Sequence, residues 1–394
     1  MFIERDLTQI INSGAKQSPI VAIIGPRQSG KSTLIKKIFS DYVYLDMQDA
    51  EIFDFANKDP KGFLNTYKDR AGVIIDEAQY APNLFSQLKV EVDKNPRAGF
   101  YILSGSQNFL LHEKISESLA GRVYLYTLLP LSIKELKQAN LLCARSEDQL
   151  YKGFYPRVYQ PQINAHDYYE NYISTYVERD IRSIRNIDNI LAFKQFMQLC
   201  ALRTGTTLNY SNLASSCGIS VGTAKSWLGL LETSLILFLL PSYHDNLGKR
   251  VTKSPKLYFY DVGLAARLMN IDQETIIQKR TIYGALFENM VIVDLIKNCN
   301  AQGLRPALTF FRDANKNEID LIIESGGKKV AIEIKASETM NSTFFETLAW
   351  FQKQTQHDQE SIVIYGGDQN QKRSEGKVIS WKNVENVYQG VKHN

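Results

Sequence analysis

Residues 25–32 read Gly25-Pro26-Arg27-Gln28-Ser29-Gly30-Lys31-Ser32, a complete match to the pattern G-x-x-x-x-G-K-[ST]. The run follows a short apolar strand, Ile20-Val21-Ala22-Ile23-Ile24, and opens a helix, Thr33-Leu34-Ile35-Lys36-Lys37-Ile38-Phe39. That strand, loop and helix setting is what the pattern requires. Glycines let consecutive backbone N–H groups turn inward around phosphates, and the helix N-terminus adds partial positive charge. On this reading Gly25, Pro26, Arg27, Gln28, Ser29, Gly30, Lys31, Ser32 and Thr33 cradle a nucleoside triphosphate, ATP. Lys31 reaches the β- and γ-phosphates, and the Ser32 hydroxyl ligates Mg²⁺.

Outward from the loop, Val73-Ile74-Ile75-Asp76-Glu77 is an apolar run ending in two acids, as expected of a parallel strand buried on both faces. Such sheets place ligands beyond the carboxyl ends of their strands, which brings both acids beside the phosphate loop. Asp76 suits Mg²⁺, directly or through water; Glu77 suits orienting and deprotonating the attacking water. A further strand, Phe100-Tyr101-Ile102-Leu103, ends in Ser104-Gly105-Ser106-Gln107, whose small polar residues, Ser106 among them, are placed to contact the γ-phosphate or the water. A helical stretch then ends in Ser118-Leu119-Ala120-Gly121-Arg122 before the strand Val123-Tyr124-Leu125-Tyr126. Arg122 reads either as an arginine finger, in its own site or a neighbour's, or as a surface arginine after a glycine C-cap.

Composition bounds the rest. A chain of 394 residues with 44% hydrophobic content holds two or three ordinary globular domains. Its 46 Lys and Arg against 42 Asp and Glu give a net charge of +4, so any attraction to nucleic acid must come from local patches. Cys143, Cys200, Cys217 and Cys299 are scattered, with no C-x-x-C pair, which suits reduced thiols in a cytoplasmic protein rather than a disulfide framework or zinc site. The N-terminus, Met1-Phe2-Ile3-Glu4-Arg5-Asp6, lacks a basic-then-apolar signal. The apolar run Leu235 to Leu240 stops at Pro241, far short of the ~20 residues that span a bilayer.

After Pro130 the alternation of strands and helices stops, and residues 131–200 carry helical periodicity with mixed aromatic and basic residues. This fits a helical bundle, with a lid or a subunit-contact layer as the alternative. Asn212 to Cys217, the turn Gly218-Ile219-Ser220, and a helix from Val221 to Thr233 follow helix-turn-helix grammar, with Ala224, Trp227, Leu228 and Leu231 on one stripe. Strands Leu235 to Tyr243 and Lys256 to Tyr260 would form the wing of a winged helix. Lys249, Arg250, Lys253 and Lys256 make that wing basic, either to lie on phosphates or as a solvated hairpin.

The C-terminal stretch carries a register argument. Glu318 to Ser325 and Lys328 to Lys335 flank Gly326-Gly327, a good two-residue hairpin turn. Pairing Ser325 with Lys328 sets Asp320 opposite Glu333 and Glu318 opposite Lys335, on a polar face, with Ile319, Leu321, Ile323, Val330, Ile332 and Ile334 on the buried one. Facing carboxylates about 5 Å apart repel unless a cation lies between them. A divalent metal held by Asp320 and Glu333, with Lys335 assisting catalysis and Glu288 as a further acid, is one occupant. The alternative is a solvated face whose Lys and Glu neutralise one another. The D…E-x-K arrangement is that of restriction-endonuclease-like nucleases.

The chain resembles a prokaryotic family of AAA-type ATPases with a C-terminal region of no assigned role. The matching stretches are Gly25 to Thr33, Ile75-Asp76-Glu77-Ala78-Gln79, Leu103-Ser104-Gly105-Ser106, Leu119-Ala120-Gly121-Arg122, Tyr176-Val177-Glu178-Arg179-Asp180-Ile181, Lys256 to Leu264, and Glu318-Ile319-Asp320 with Ile332-Glu333-Ile334-Lys335. The resemblance implies an α/β P-loop core with helices on both faces of a parallel sheet, a winged helix and a restriction-endonuclease-like tail. The corresponding divisions are residues 1–135, 136–270 and 275–394. Two functions stay open: an Mg²⁺-dependent ATPase acting as a homo-oligomer on nucleic acid, DNA above all, or an ATP-operated switch that contacts a protein partner and carries an inert nuclease-like scaffold.

Overall fold

The computed structural model describes residues 2–105, 111, 115, 117–175, 189–243, 254–273, 276, 279–355 and 360–390, the side chains of the last two excepted. Ser106, the wing cations Lys249, Arg250 and Lys253, and the stretch Tyr176 to Ile181 lie outside the described residues.

The first unit runs α1 (Thr8–Ala15), β1 (Ile20–Ile24), α2 (Lys31–Ile38), β2 (Val43–Asp46), α3 (Ala50–Lys58), α4 (Pro60–Thr66), β3 (Val73–Asp76), α5 (Pro82–Lys94), β4 (Tyr101–Gly105) and β5 (Val123–Thr127). Its five strands form a parallel sheet in the order β2-β3-β4-β1-β5. Both faces are covered, because the central strands are apolar on both sides until their carboxyl ends, where Asp76 and Ser104 stand. Ile20, Ala22 and Ile24 pack with the α3–α5 side, whereas Val21 and Ile23 pack with Leu7, Ile11, Leu34 and Ile35 of α1 and α2. All carboxyl ends therefore point one way, and β1, β3 and β4 deliver the phosphate loop, Asp76 and Ser104 to a single rim.

Helices follow: α6 (Ile133–Gln138), α7 (Ser146–Lys152), α8 (Ala165–Thr175), α9 (Ile190–Ala201), α10 (Tyr210–Ser216) and α11 (Val221–Thr233). The turn between α10 and α11 is capped as its sequence demands, with the Ser220 hydroxyl accepting from the Thr223 amide at 2.9 Å. The expected stripe is buried, and Trp227 meets Phe193 and Phe196 edge-on. The hairpin after it is shorter than the sequence reading: β6 (Leu237–Leu240) and β7 (Lys256–Phe259) pair antiparallel, and α12 (Val262–Leu268) follows.

The last unit opens with α13 (Arg280–Ala301), then β8 (Ala307–Arg312), β9 (Glu318–Ser325), β10 (Lys328–Lys335), α14 (Glu346–Thr355), β11 (Glu360–Tyr365), β12 (Gln371–Lys372) and β13 (Lys377–Ser380). The sheet is mixed, in the order β12-β13-β11-β10-β9-β8. The hairpin register is the expected one, from Ser325 opposite Lys328 to Leu321 opposite Ile332.

The expectation of one buried and one polar face is corrected. Leu321, Ile323, Val330, Ile332 and Ile334 share a core with α13 and the preceding helices, while Ile322, Ala331 and Val363 pack under Leu348 and Phe351 of α14. Ile319 lies with that second group. The reason is a bulge: Thr309 faces Ile322 but Phe311 faces Ile319, so Asp320 and Leu321 together oppose Phe310. An inserted residue breaks the period-two alternation and re-aims its side chain. Among the described residues, no helix is long and apolar enough to cross a membrane.

Candidate functional site

The phosphate loop is shaped by two glycines. Gly30 caps α2 at φ 96°, a left-handed conformation that side chains resist. A Cβ on Gly25 would lie 2.2 Å from the Leu128 carbonyl oxygen, so only glycine lets the loop turn there. The Lys31 ammonium donates to the carbonyls of Gly25 at 2.9 Å and Pro26 at 3.0 Å. It therefore sits within the loop, at the rim where phosphates would lie.

Asp76 is the hub of the acidic side. Its carboxylate accepts from Tyr44 at 2.5 Å, from the Ser104 hydroxyl, from the Glu77 amide at 3.1 Å and from the Ser32 hydroxyl. Burial pushes this carboxyl up, but the bonds from Ser104, Ser32, Tyr44 and the Glu77 amide outweigh it and hold the group below the ordinary aspartate value. A hydroxyl and an ionised carboxylate in contact are the hard oxygen donors Mg²⁺ takes, so Ser32 and Asp76 fit that ion. Glu77 stands at φ 52°, and its carboxylate accepts from the Gln79 side-chain Nε2 at 2.6 Å. That bond fixes its direction toward the cleft.

The cleft has a volume of about 500 Å³, within the range of small-ligand sites. Arg27, Lys31, Ser32 and Glu77 line it from the core. Pro156, Arg157 and Gln160, from the helical region, line it from the other side. These three carry no motif, and the sequence reading did not find them.

Arg122 is elsewhere. It precedes Val123, which pairs with Ile20 at the amino end of the sheet, roughly 15 Å of strand from the loop. Its guanidinium is bidentate to Asp93 at the end of α5. A finger role in its own cleft is corrected to a surface ion pair.

A second cluster lies in the last unit. Asp320 and Glu333 are buried, at 8% and 5% exposure, and not on a solvated face. Asp320 accepts from the Ile334 amide at 2.8 Å, and Glu333 accepts from Lys335. Lys256, expected on the wing's phosphate-binding surface, is 1% exposed; its ammonium joins Glu288 at 2.9 Å and pairs with Glu318. Tyr258 also donates to Glu288. Burial, then repulsion from Asp320, pushes Glu288 up to about 7 and Glu333 up to about 8.

Among the described residues, no three His, Cys, Asp or Glu side chains gather in a metal-holding group. Asp320 and Glu333 do come together as expected, close enough to Glu288 for the three acids to repel one another, with Lys335 on Glu333. Lysines supply positive charge beside these acids, Lys335 at Glu333 and Lys256 at Glu288 and Glu318.

With this geometry in hand, similarity to known proteins is informative. Residues 17–137 match the family described as an AAA domain, and residues 144–275 and 283–384 match two domains of unknown function, DUF8612 and DUF4143. An uncharacterized protein of Mycobacterium tuberculosis, Rv2008c, is 30% identical over 346 residues, covering 86% of this chain and 75% of that one. An uncharacterized protein of Haemophilus influenzae is 24% identical over 311 residues, covering 71% of this chain and 74% of that one. Among solved structures, the Walker-type ATPase paby2304 of Pyrococcus abyssi aligns with a TM-score of 0.44 at 14% identity, over 68% of this chain and 96% of that one. The chain belongs to the AAA-type P-loop ATPases that carry a C-terminal DUF4143 region.

Proposed function

We propose that the chain is an ATP-operated switch: it binds ATP with Mg²⁺, hydrolyses it, and uses the cycle to change the contacts of its helical and C-terminal units with a protein partner. The contact between the Ser32 hydroxyl and the Asp76 carboxylate, at the mouth of a glycine loop that holds the Lys31 ammonium, carries this reading. Lys31 leaves the Gly25 and Pro26 carbonyls for the β- and γ-phosphates. Arg27 of the loop and Arg157 of the helical region both line the cleft and bring it positive charge. Held by Ser32 and Asp76, Mg²⁺ would supply charge neutralisation across the phosphates. Glu77, steered by Gln79, accepts a proton from the water whose oxygen bonds to the γ-phosphorus as the β–γ bridging bond breaks.

The self-neutralised cluster of Lys256, Glu288, Glu318, Glu333 and Lys335 supports the inert-scaffold form of the C-terminal unit. The competing reading, nucleic-acid handling by a winged helix with a nuclease-like tail, is favoured by the helix-turn-helix and its two-stranded hairpin. It loses Lys256 as a phosphate contact.

Phosphate release from ATP tests the enzymatic reading: Lys31→Ala should remove it, and a variant that keeps full Mg²⁺-dependent turnover would end the assignment. Adding DNA separates the two broader readings. The switch predicts no stimulation and no Mn²⁺-dependent cutting, whereas salt-sensitive DNA stimulation, or cutting lost in Glu333→Ala, would overturn it.

A further inference from the structure

Arg5, Asp294 and Lys297 are buried charged groups with no part in the chemistry above, and all three bond to the segment between Leu129 and Glu135. Arg5, at 8% exposure, forks behind the phosphate loop: Nη1 donates to the Ser29 carbonyl at 2.9 Å, Nη2 to the Leu129 carbonyl at 2.6 Å, and Nε to Glu135 at 3.0 Å. Glu135 also accepts from the Asp6 amide at 2.8 Å and closes a capping box with Ser132 at the start of α6. Residues 129–135 thus form a strap that leaves the last strand of the ATPase sheet and is gripped by the guanidinium touching the loop.

The same strap is gripped from its other side by α13. Asp294 accepts from the Ile133 amide at 2.7 Å, and Lys297 donates to the Leu131 carbonyl at 2.7 Å. Lys297 also stands 4.2 Å from the centre of the Phe154 ring. The Phe154 carbonyl accepts from the Leu131 amide at 2.9 Å, and Phe154 is two residues before Pro156, which lines the nucleotide cleft with Arg157. On α13 itself, Asp294 is six residues from Glu288, about 9 Å of helix. Asn289 fixes β7 by two bonds to the Phe259 backbone, at 2.9 and 2.7 Å.

Buried ionic groups are expensive, and apolar replacements of similar volume often leave a fold no less stable. Burial holds Lys297 down at about 8 and Asp294 up at about 6, the mark of charges kept out of water. Each bonds a backbone group of the connecting strap, and Asp294 accepts a further bond from the Asn298 side chain at 2.9 Å. Any change in the Ser29 carbonyl's position on phosphate binding therefore has a direct route to a rigid helix that anchors the C-terminal unit.

We propose that Arg5, Asp294 and Lys297 are positioning residues that make the phosphate loop, the 129–135 strap and the seating of α13 interdependent, so that nucleotide occupancy is passed to the C-terminal unit. This rests on the ATP-binding reading and deepens it. The coupling is reciprocal: loosening α13 weakens nucleotide binding by the same factor that nucleotide tightens α13.

The test is hydrogen–deuterium exchange of the full chain with and without a slowly hydrolysed ATP analogue and Mg²⁺, with binding followed separately by titration of a fluorescent ATP. In the wild type, saturation should slow exchange across residues 285–299 by about fivefold or more, while α14, in the same unit, changes little. Lys297→Met and Arg5→Gln should still bind nucleotide at saturation, at about tenfold weaker affinity, and lose the slowing of α13. Arg5→Lys, which keeps a cation on the strap, should recover part of it. Wild-type chain that binds nucleotide with unchanged α13 exchange overturns the relay and leaves the ATP reading intact, and so does full slowing in Lys297→Met. Absence of nucleotide binding in the wild type brings down both. Should a variant fail to fold, the wild-type comparison alone decides.

Discussion

The nucleotide cleft and the C-terminal acid cluster are built from the same residue types and wired in opposite senses. In the cleft, hydrogen bonds from Ser32, Tyr44 and Ser104 keep Asp76 ionised, and the Lys31 ammonium rests on loop carbonyls beside about 500 Å³ of open volume. In the cluster, Lys256 pairs with Glu288 and Glu318, Lys335 pairs with Glu333, and burial pushes the acids toward their neutral forms. A site prepared for a ligand keeps its charges ionised by neutral donors and leaves room beside them. A site whose charges already neutralise one another, out of water, is a piece of structure.

Four variants sharpen or break that contrast. The largest effect is expected from Lys256→Met, which removes a buried cation from the half-buried Glu288 and Glu318. Loss of one partner of a buried pair costs about 3–5 kcal/mol, read as a fall in denaturant midpoint. An unchanged midpoint would mean the cluster is not structural.

Arg157→Ala should raise the KM for ATP by about 10- to 100-fold, the worth of one charge-assisted bond, with Tm unchanged. A normal KM would take the helical region out of the cleft. A smaller effect concerns pH. Glu288, at about 7, and Glu333, at about 8, both lie above the ordinary 4.5. The folded chain thus binds more protons than the unfolded one, and their contribution, full below about pH 4.5, is lost as pH rises through 7 to 8. Wild-type Tm should fall across that window, and Glu333→Gln should flatten the fall and exceed wild type near pH 8. A Tm that rises with pH over this range contradicts the wiring.

The smallest effect belongs to Arg122→Ala, which should leave stability and turnover of the isolated chain unchanged, since its partner Asp93 is a surface group. A turnover loss that appears only at high protein concentration would instead place Arg122 in a neighbouring copy's cleft.

What could be read in the sequence was local. The glycine loop, the acids closing β3, the capped α10–α11 turn and the hairpin register each depend on residues within a few positions of one another. What escaped was set by contacts between distant segments. Arg5 gives no sign that it will touch Ser29, nor Pro156 and Arg157 that they will line the cleft. Lys256 stands in a basic hairpin by sequence, yet α13 and β9 bury it. The bulge at Asp320 and Leu321 defeated a period-two argument that held everywhere else along the hairpin.

Titration calorimetry of the purified chain with ATP and Mg²⁺ addresses the central claim most directly. One nucleotide should bind per chain, with the heat abolished in Lys31→Ala. Wild-type protein that takes up no nucleotide, or a Lys31→Ala variant that binds as the wild type does, would contradict it.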